Sequence, residues 1–165
     1  MNNTEIERKF LVINDTYKTL ATRKYNIVQG YICKDAGRTV RVRLRTEEGG
    51  AEQAFLTVKS NSGEVGLSRF EWEREISPDD ARLLLQMCLP GLIEKTRWIV
   101  PYQPASGTPT PEESALKWEV DEFHGRMDGL VMAELELLRE DQPYTRPAFL
   151  GEEVTGNPRY YNANM

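Results

Sequence analysis

The sequence predicts a mainly β protein (α+β class) in which eight antiparallel strands close into a tunnel-like barrel with a few helices on its surface. Short segments alternate between polar and apolar residues and are separated by Gly, Pro, Asn or Asp, as in antiparallel strands. Charged side chains occupy one face of nearly every such segment. The chain has 165 residues, enough for one domain with its own core, so residues 1–165 are expected to form a single domain.

The strands are identified from their alternation, in chain order. Seven segments show it clearly, at residues 4–12, 38–46, 53–60, 69–76, 94–100, 116–123 and 130–138. An eighth strand is expected at residues 28–33, where the alternation is weaker. Eight strands are a workable number for closing a barrel around side chains or a small ligand.

One helix has clear start and stop signals. Ser77 can cap its N-terminus, Pro78 suits the first turn, and two acidic residues favour the positive end of the helix dipole. The apolar run at 81–88 continues the helix, and Leu89-Pro90-Gly91 ends it. Shorter helices are expected at 15–23 and after Asn157-Pro158.

The segment 101–114 contains four prolines and several small polar residues. This density of proline predicts a long mobile connection without helix or strand. Because clear strands lie on both sides, we expect an expanded hairpin loop within one domain.

Composition excludes several kinds of protein. A net charge of −5 argues against binding duplex nucleic acid, and no apolar run approaches the roughly 20 residues of a membrane span. The N-terminus has no apolar stretch typical of a secretory signal, so a cytoplasmic location is expected. Cys33 and Cys88 are expected to be reduced thiols, and the single His124 has no nearby partner ligand. Any metal should therefore be a hard cation bound by oxygen.

Charges of like sign are grouped strand by strand. Residues at i and i+2 of a strand point to the same side, so each group shares a face. The acidic members are Glu5, Glu7, Glu71, Glu73, Glu75, Glu119, Asp121, Glu134 and Glu136. The basic members are Lys9, Arg41, Arg43, Arg45, Lys59, Arg69, Lys95 and Arg97.

Two interpretations fit these charged faces. A sheet with one solvated face would pair opposite charges across its strands, each pair contributing roughly 0.2–1 kcal/mol. Such a face usually mixes its charges, whereas here like charges lie about 6.6 Å apart along a strand. The grouping favours a barrel with the charges inside, together with water, metal ions and a charged ligand. Arginine and lysine suit phosphate oxygens, and carboxylates suit Mg²⁺ or Mn²⁺, so a polyphosphate or nucleoside triphosphate is expected.

An ordered set of motifs resembles the CYTH domain family, the triphosphate tunnel metalloenzymes. It begins with Glu5-x-Glu7-x-Lys9, a weak signal alone. The motifs that follow in order are Gln29-Gly30-Tyr31, Arg41-x-Arg43, Thr57-x-Lys59, Arg69-x-Glu71-x-Glu73, Glu94-Lys95-x-Arg97, Glu119-Val120-Asp121, Glu134-x-Glu136 and a closing segment at 150–155 with Tyr160 and Asn162. The set spans nearly the whole chain. The proline-rich loop before Trp118 is longer than in compact bacterial members of the family.

The resemblance implies a role for each charged position. The implied ligands of Mg²⁺ or Mn²⁺ are Glu5, Glu7, Glu134 and Glu136, with Asp121 and Glu119 binding directly or through water. The implied triphosphate-binding residues are Arg41, Arg43, Lys59, Lys95 and Arg97. Lys9 and Tyr31 match a pair that activates the attacking water. Arg45 and Arg69 remain open between phosphate binding and a structural role.

The implied activity is metal-dependent hydrolysis of inorganic triphosphate or a related triphosphate. A class IV adenylate cyclase, a thiamine triphosphatase and a non-catalytic polyphosphate-binding module remain alternatives. Strand parity places Trp72, Trp98 and Trp118 on the outer face, where they would pack and not stack on a ligand. The expected partner is a small-molecule triphosphate, without duplex nucleic acid or membrane. Homodimers are common in this family, although the sequence does not determine the oligomeric state.

Overall fold

Nine β-strands form the framework of the computed structural model, which describes residues 4–35, 37–61 and 68–165. The strands are β1 (Thr4–Val12), β2 (Arg23–Asp35), β3 (Arg38–Glu47), β4 (Glu52–Asn61), β5 (Ser68–Ile76), β6 (Ile93–Pro101), β7 (Lys117–Phe123), β8 (Val131–Glu136) and β9 (Leu150–Glu153). The helices are α1 (Tyr17–Leu20), α2 (Pro78–Leu85) and α3 (Pro111–Ser114). Short 3-10 turns cover Gly125–Met127, Pro158–Tyr160 and Asn162–Asn164. No helix in these described ranges is long and apolar enough to span a membrane.

Eight strands close into an antiparallel barrel. Their order around it is β1, β5, β4, β3, β2, β6, β7, β8 and back to β1. Closure is made by the first residues of β1, where Glu5 lies opposite Arg69 of β5. The middle of β1 pairs with β8 on its other edge, and Glu7 lies opposite Glu136. The predicted closed eight-stranded barrel is confirmed.

The ninth strand was not predicted. β5 pairs with only the start of β1, which leaves the later part of that edge open, and β9 pairs there with Phe10 opposite Glu153 and Val12 opposite Leu150. β9 has four residues, too few for an alternating pattern to be recognised. Its position depends on an edge some 140 residues away in the chain.

The predicted eighth strand is longer than expected. β2 begins at Arg23 and runs for 13 residues, pairing with β6 from Arg23 and with β3 from Tyr25 onwards. The predicted helix at 15–23 is correspondingly reduced to the single turn of α1. The backbone of Thr22 already hydrogen-bonds to Ile99 of β6, which draws this segment into the sheet.

The predicted helix after Ser77 is confirmed as α2. The Ser77 side chain accepts a hydrogen bond from the backbone N–H of Asp80 at 3.0 Å. Ala81 is fully buried and packs against the outer sides of β3 and β4. The turn after α2 lies against Gly30, where a Cβ atom would come within 2.5 Å of Leu92 and 2.9 Å of Cys88. Only glycine therefore fits at this position without displacement of its neighbours.

The proline-rich connection contains a helical turn, so the prediction of no helix at 101–114 was wrong. Thr110 caps α3 by accepting from the N–H of Glu113, whose side chain in turn accepts from the N–H of Thr110. Pro111 is tolerated because the first residues of a helix need no N–H donor. The flanking strands β6 and β7 pair with each other, which confirms the expanded hairpin.

The main apolar core lies outside the barrel wall. Phe10, Trp118 and Phe149 are almost fully buried there, and their rings meet edge to face at about 6 Å. Trp98 packs against this core from its rim, and Tyr17 of α1 covers it. The outer-face placement of Trp98 and Trp118 is therefore confirmed, and Trp72 lies on the outer face of β5 beneath Arg74.

The barrel interior is not uniformly charged, although its strand faces suggested a charged lining. Two buried apolar clusters share the inner face of the strands with the charged residues. One contains Tyr25, Ile27 and Ile99. The other contains Tyr31, Ile93, Phe123 and Met132, against which Tyr160, Ala163 and Met165 of the C-terminal tail pack. The tail, residues 157–165, thus folds across one end of the barrel.

Candidate active site

A cavity of about 240 Å³ occupies the centre of the barrel. Its wall includes ten of the residues predicted for a site: Glu7, Lys9, Tyr31, Arg41, Arg43, Lys59, Arg97, Glu119, Glu134 and Glu136. The other three predicted residues, Glu5, Lys95 and Asp121, are buried and do not line the cavity. One continuous wall thus brings together residues from all eight barrel strands.

Cations dominate the part of the wall formed by β3 and β6. Arg43 lies near Arg41 and Arg97, and burial together with these two cations lowers its pKa to about 9. Arg41 donates to Thr57 at 3.2 Å, while its Nε is buried without a partner among the described residues. Positive groups that repel one another inside a cavity create a site for an anion with several charged oxygens.

Asp121 holds two of the cations from behind the wall. It forms a two-point contact with Arg97, at 2.7 and 2.8 Å, and accepts from Lys95 at 2.8 Å. Burial raises the pKa of Asp121, but Arg97 and Lys95 outweigh it, so the pKa lies well below its usual range. As a metal ligand, Asp121 would have to give up one of these cations.

Lys95 is screened from the cavity by the same contacts. Burial, with Arg97 and Arg43 nearby, lowers its pKa to about 7 despite the attraction of Asp121. Its ammonium also donates to the Asn162 side chain of the tail at 3.1 Å. Lys95 therefore lies behind the cationic part of the wall and connects it to the tail.

Carboxylates crowd the wall formed by β1 and β8. Burial and the neighbouring Glu134 and Glu5 raise the pKa of Glu7 well above its ordinary value. Burial, Glu5 and Glu119 raise the pKa of Glu136 to about 7. Burial also tends to raise the pKa of Glu134, but the positive charges of Lys9 and Arg97 have the larger effect and lower it. The neutral form of Glu7 is therefore favoured more than that of a free carboxyl group, and its side chain is hydrogen-bonded to Glu134.

This acidic wall suits a hard cation, but it is not a closed metal cage. Among the described residues, no three Asp, Glu, His or Cys side chains are grouped closely enough to hold an ion by themselves. Mg²⁺ usually takes one or two protein carboxylates and completes its octahedron with water and substrate phosphate oxygens. Crowded carboxylates that repel one another fit that requirement.

Lys9 lies at the tail end of the cavity. Its ammonium donates to the backbone carbonyl of Tyr160 at 3.0 Å, lies 3.3 Å from Glu134, and is 5.5 Å from the Tyr161 ring centre. Burial lowers the pKa of Lys9, but Glu134 and Glu7 have the larger combined effect and raise it. Tyr31 lines the same cavity, and no hydrogen bond joins it to Lys9 among the residues described.

Lys59 and Glu5 form an ion pair where the barrel closes. Both carboxylate oxygens of Glu5 accept from Lys59, at 2.9 and 3.0 Å, and Glu71 lies 3.3 Å from the same ammonium. Burial, the larger effect, raises the pKa of Glu5 although Lys59 lowers it. Glu5 is therefore masked by Lys59, so a metal ion or phosphate would have to separate this pair to use both residues.

Arg45 and Arg69, whose roles the sequence left open, both line the cavity. Arg45 donates to Gln53 at 2.6 Å and lies over the rings of Tyr25 and Phe55, at 4.5 and 5.0 Å. Arg69 lies 5.2 Å from the Tyr161 ring centre. Each arginine is thus held by a structural contact while remaining available to a ligand.

Several wall residues had no role assigned from sequence. The tail contributes Tyr161, Asn162 and Ala163, and Lys117 and Thr57 also line the cavity. The sequence offered a weak signal, since Asn162 and Thr57 belong to the motif set. It could not show that the tail returns to the barrel, because the tail has no alternation and its partners are more than 100 residues away.

Comparison with known proteins identifies close relatives of this chain. The family model described as the CYTH domain matches residues 3–163. A curated inorganic triphosphatase from Acetivibrio thermocellus is 41% identical over 162 residues, covering 98% of this chain and 92% of the relative. A curated inorganic triphosphatase from Nitrosomonas europaea is 36% identical over 161 residues, covering 96% and 94% of the two chains.

Solved structures share the fold. A crystal structure of an inorganic triphosphatase is 30% identical, with a TM-score of 0.56, covering 97% of this chain and 92% of that chain. A protein from Pyrococcus horikoshii has a TM-score of 0.59 at 18% identity, covering 83% of this chain and 80% of that one, which shows likeness of fold alone.

Proposed function

This chain belongs to the CYTH domain family, and we propose that it is a divalent-metal-dependent triphosphatase acting on inorganic triphosphate. One observation supports this proposal above the others. Cations that repel one another form one side of the cavity wall, and crowded carboxylates form the other side. A polyphosphate chain would neutralise the charges of the cations, and a hard divalent cation would neutralise those of the carboxylates. The names of the two curated relatives support this assignment.

The size and polarity of the cavity support a compact anionic substrate. The volume is about 240 Å³, and most wall residues carry charge. Buried apolar side chains occupy other parts of the interior, with Ile27 and Ile99 on one side and the tail across one end. Inorganic triphosphate needs only charged contacts, whereas a nucleoside would also need apolar contacts, which this wall offers only through Tyr31, Tyr161 and Ala163.

The metal ion, Mg²⁺ or Mn²⁺, would be held by Glu7, Glu134 and Glu136, with Glu119, the other predicted ligand that faces the cavity, binding directly or through water. When bound, it would neutralise phosphate charge and lower the pKa of a coordinated water. Glu5 and Asp121 remain predicted ligands, although neither faces the cavity and each is paired with a cation of the wall.

The basic residues would bind the phosphate chain and stabilise charge as the terminal anhydride bond breaks. Water attacks the terminal phosphorus, the bridging P–O bond breaks, and orthophosphate and diphosphate are released. Arg41, Arg43, Arg97 and Lys59 lie where their N–H groups can reach phosphate oxygens. Lys9 and Tyr31 line the same wall and would position the attacking water, Lys9 by donation while it carries its proton.

A phosphate-release screen tests the proposal. The protein is incubated with tripolyphosphate, ATP and thiamine triphosphate, each with Mg²⁺, Mn²⁺ or EDTA, and cyclic AMP is measured in the ATP arm. We expect metal-dependent release that is fastest with tripolyphosphate. Equal rates in EDTA would contradict metal dependence. Preference for thiamine triphosphate, or cyclic AMP as the main product, would replace the proposed substrate or reaction.

Arginine variants provide a matched control for the screen. Arg43→Gln alters the phosphate wall, whereas Arg74→Gln alters an exposed arginine outside the barrel, beside Trp72. Only the first should lower the rate. Equal losses in both variants would mean that the cavity is not where the substrate binds.

A further inference from the structure

We propose that Asn162, on the C-terminal tail, is a substrate-binding residue whose side-chain amide N–H group donates to the phosphate at the tail end of the cavity. The inference rests on the proposed function and names one more contact at the same site. Asn162 lines the cavity, and the chain brings it there from the 3-10 turn Asn162–Asn164. It is the amide side chain that the tail adds to the cavity wall.

The orientation of the Asn162 amide follows from a series of hydrogen bonds that begins at Arg43. Arginine can only donate, and Arg43 Nε donates to Gln29 Oε1 at 2.8 Å. The Gln29 amide nitrogen must then point the other way, where it donates to Asn162 Oδ1 at 3.4 Å. Gln29 is completely buried, so bulk water does not compete for its amide group and this orientation is retained.

Lys95 fixes the same oxygen independently. Its Nζ lies 3.1 Å from Asn162 Oδ1 and carries N–H donors whether or not it is charged. Two donors on Oδ1 turn the Asn162 NH₂ group away from Gln29 and Lys95. No described residue accepts a hydrogen bond from that nitrogen, so both of its protons are available to a ligand in the cavity.

The backbone of the tail is held firmly enough to present this group. The Tyr160 carbonyl accepts from Lys9 at 3.0 Å, and the Tyr161 ring lies against the cations of Lys9 and Arg69. The chain terminus is anchored as well, because Arg126 donates to the Met165 carbonyl at 2.9 Å. A donor presented on an anchored segment loses little conformational freedom when the phosphate binds.

The test compares two isosteric substitutions in the tail. Asn162→Asp keeps an oxygen for Lys95 and Gln29 but replaces the NH₂ donors with a second oxygen. Asn157→Asp makes the same charge change at an exposed position, where Oδ1 accepts from the backbone N–H of Arg159 and can still do so. Tripolyphosphate binding is measured by calorimetry in EDTA, at about 0.05 and about 0.5 M NaCl, since the higher salt concentration screens distant charges.

We expect Asn162→Asp to weaken binding by about 10- to 100-fold at both salt concentrations, the range for losing a hydrogen bond to a charged group. Asn157→Asp should stay within about 2-fold of wild type at the higher salt concentration. If Asn162→Asp bound tripolyphosphate as tightly as wild type, the inference would be wrong, because Asn162 would then serve only to hold Lys95 in place. A loss that disappears at high salt would overturn it too, since it would reflect distant charge and not a contact.

Kinetics separate a failure of this inference from a failure of the proposed function. If the wild-type protein neither binds nor hydrolyses tripolyphosphate, the proposed function is wrong. If wild type hydrolyses it and Asn162→Asp shows an unchanged KM and kcat, only the role of Asn162 is wrong. Thermal unfolding of the unliganded variants checks that the tail is still folded, and we expect no drop in Tm because the Oδ1 contacts remain.

Discussion

Arg43 is a single residue that lowers the stability of the unliganded protein and is placed to bind an anion. Its guanidinium is buried next to Arg41 and Arg97, and its pKa is lowered to about 9 because the charged form is disfavoured there. Its one described hydrogen bond is to the neutral Gln29 side chain. The folded protein therefore bears a free-energy cost that a bound polyanion would relieve.

Arg43→Gln should stabilise the protein without ligand. Glutamine can still donate to Gln29 while removing the repelled charge, so we expect the free energy of unfolding to increase by about 1 kcal/mol and Tm by about 2–4 °C. Thermal unfolding without phosphate measures this, with Arg74→Gln as the control on an exposed arginine. A lower Tm in Arg43→Gln would mean that Arg43 is stabilised by pairing and not strained by repulsion.

The same variant has a defined pH dependence. The folded-state pKa of Arg43, about 9, lies below its ordinary value of 12.5. Between these values the unfolded chain binds more protons at this site, so the stability of wild type rises with pH relative to Arg43→Gln. Urea unfolding at pH 8, 9 and 10 should show the advantage of the variant shrinking. A constant advantage would mean that Arg43 stays charged throughout.

Glu7 can be neutralised without disturbing the fold. Burial and Glu134 raise its pKa, which favours the neutral form of the side chain. Glu7→Gln is isosteric with that form, so Tm should be unchanged, whereas hydrolysis should fall by at least about 100-fold if Glu7 is a metal ligand. Near-wild-type turnover at limiting Mg²⁺ would remove Glu7 from the ligand set. Glu152→Gln, on the exposed side of β9, is the matched control.

At the scale of elements, the turn after α2 depends on one glycine. A Cβ at Gly30 would meet Leu92 at 2.5 Å and Cys88 at 2.9 Å. Gly30→Ala should therefore lower the free energy of unfolding by about 1–3 kcal/mol, as overpacking does. Leu92 is exposed and meets the new Cβ with the end of its side chain, whereas Cys88 meets it with its own Cβ, which moves only with the backbone. Gly30→Ala/Leu92→Ala should therefore recover only part of the loss. Full recovery in urea unfolding would mean that Cys88 yields freely.

Elements with a repeating pattern were predicted well. The eight barrel strands follow from side chains that alternate every second residue, and α2 follows from a cap, a proline and a stop signal. The elements that were missed are short: β9 has four residues and α3 a single capped turn. Their stability comes from an open strand edge and a local capping box, neither of which produces a periodic pattern.

For the whole molecule, the charge distribution predicts stabilisation by ligand. Tripolyphosphate without metal should raise the Tm of wild type, by about 5–10 °C at 100 times its Kd, because it binds the folded state and not the unfolded chain. The shift should be smaller for Arg43→Gln and should decrease with added salt. Equal shifts in wild type and Arg43→Gln, followed by differential scanning fluorimetry, would place the polyanion away from the arginine wall.

The sequence by itself determined the closed barrel and which strand faces carry charge, because parity along a strand is a local property that each segment displays on its own. It also indicated ten residues that share the cavity wall. Only the tertiary structure decided how those charges are paired. Asp121 and Glu5 are buried behind the wall and pair with Arg97 and Lys59 of the wall, and these pairings depend on strand register.

The tertiary structure also decided which residues close the ends of the barrel. Apolar residues such as Ile27 and Phe123 occupy inner-face positions, and the tail folds back over one end to bring Asn162 to the cavity. Gln29 and Asn162, for example, lie 133 positions apart, and the apolar clusters join residues of different strands, so no local pattern indicates these contacts. Their physical cause is that a charged cavity needs apolar packing at its ends to hold its shape, and which segment supplies that packing depends on the closed fold.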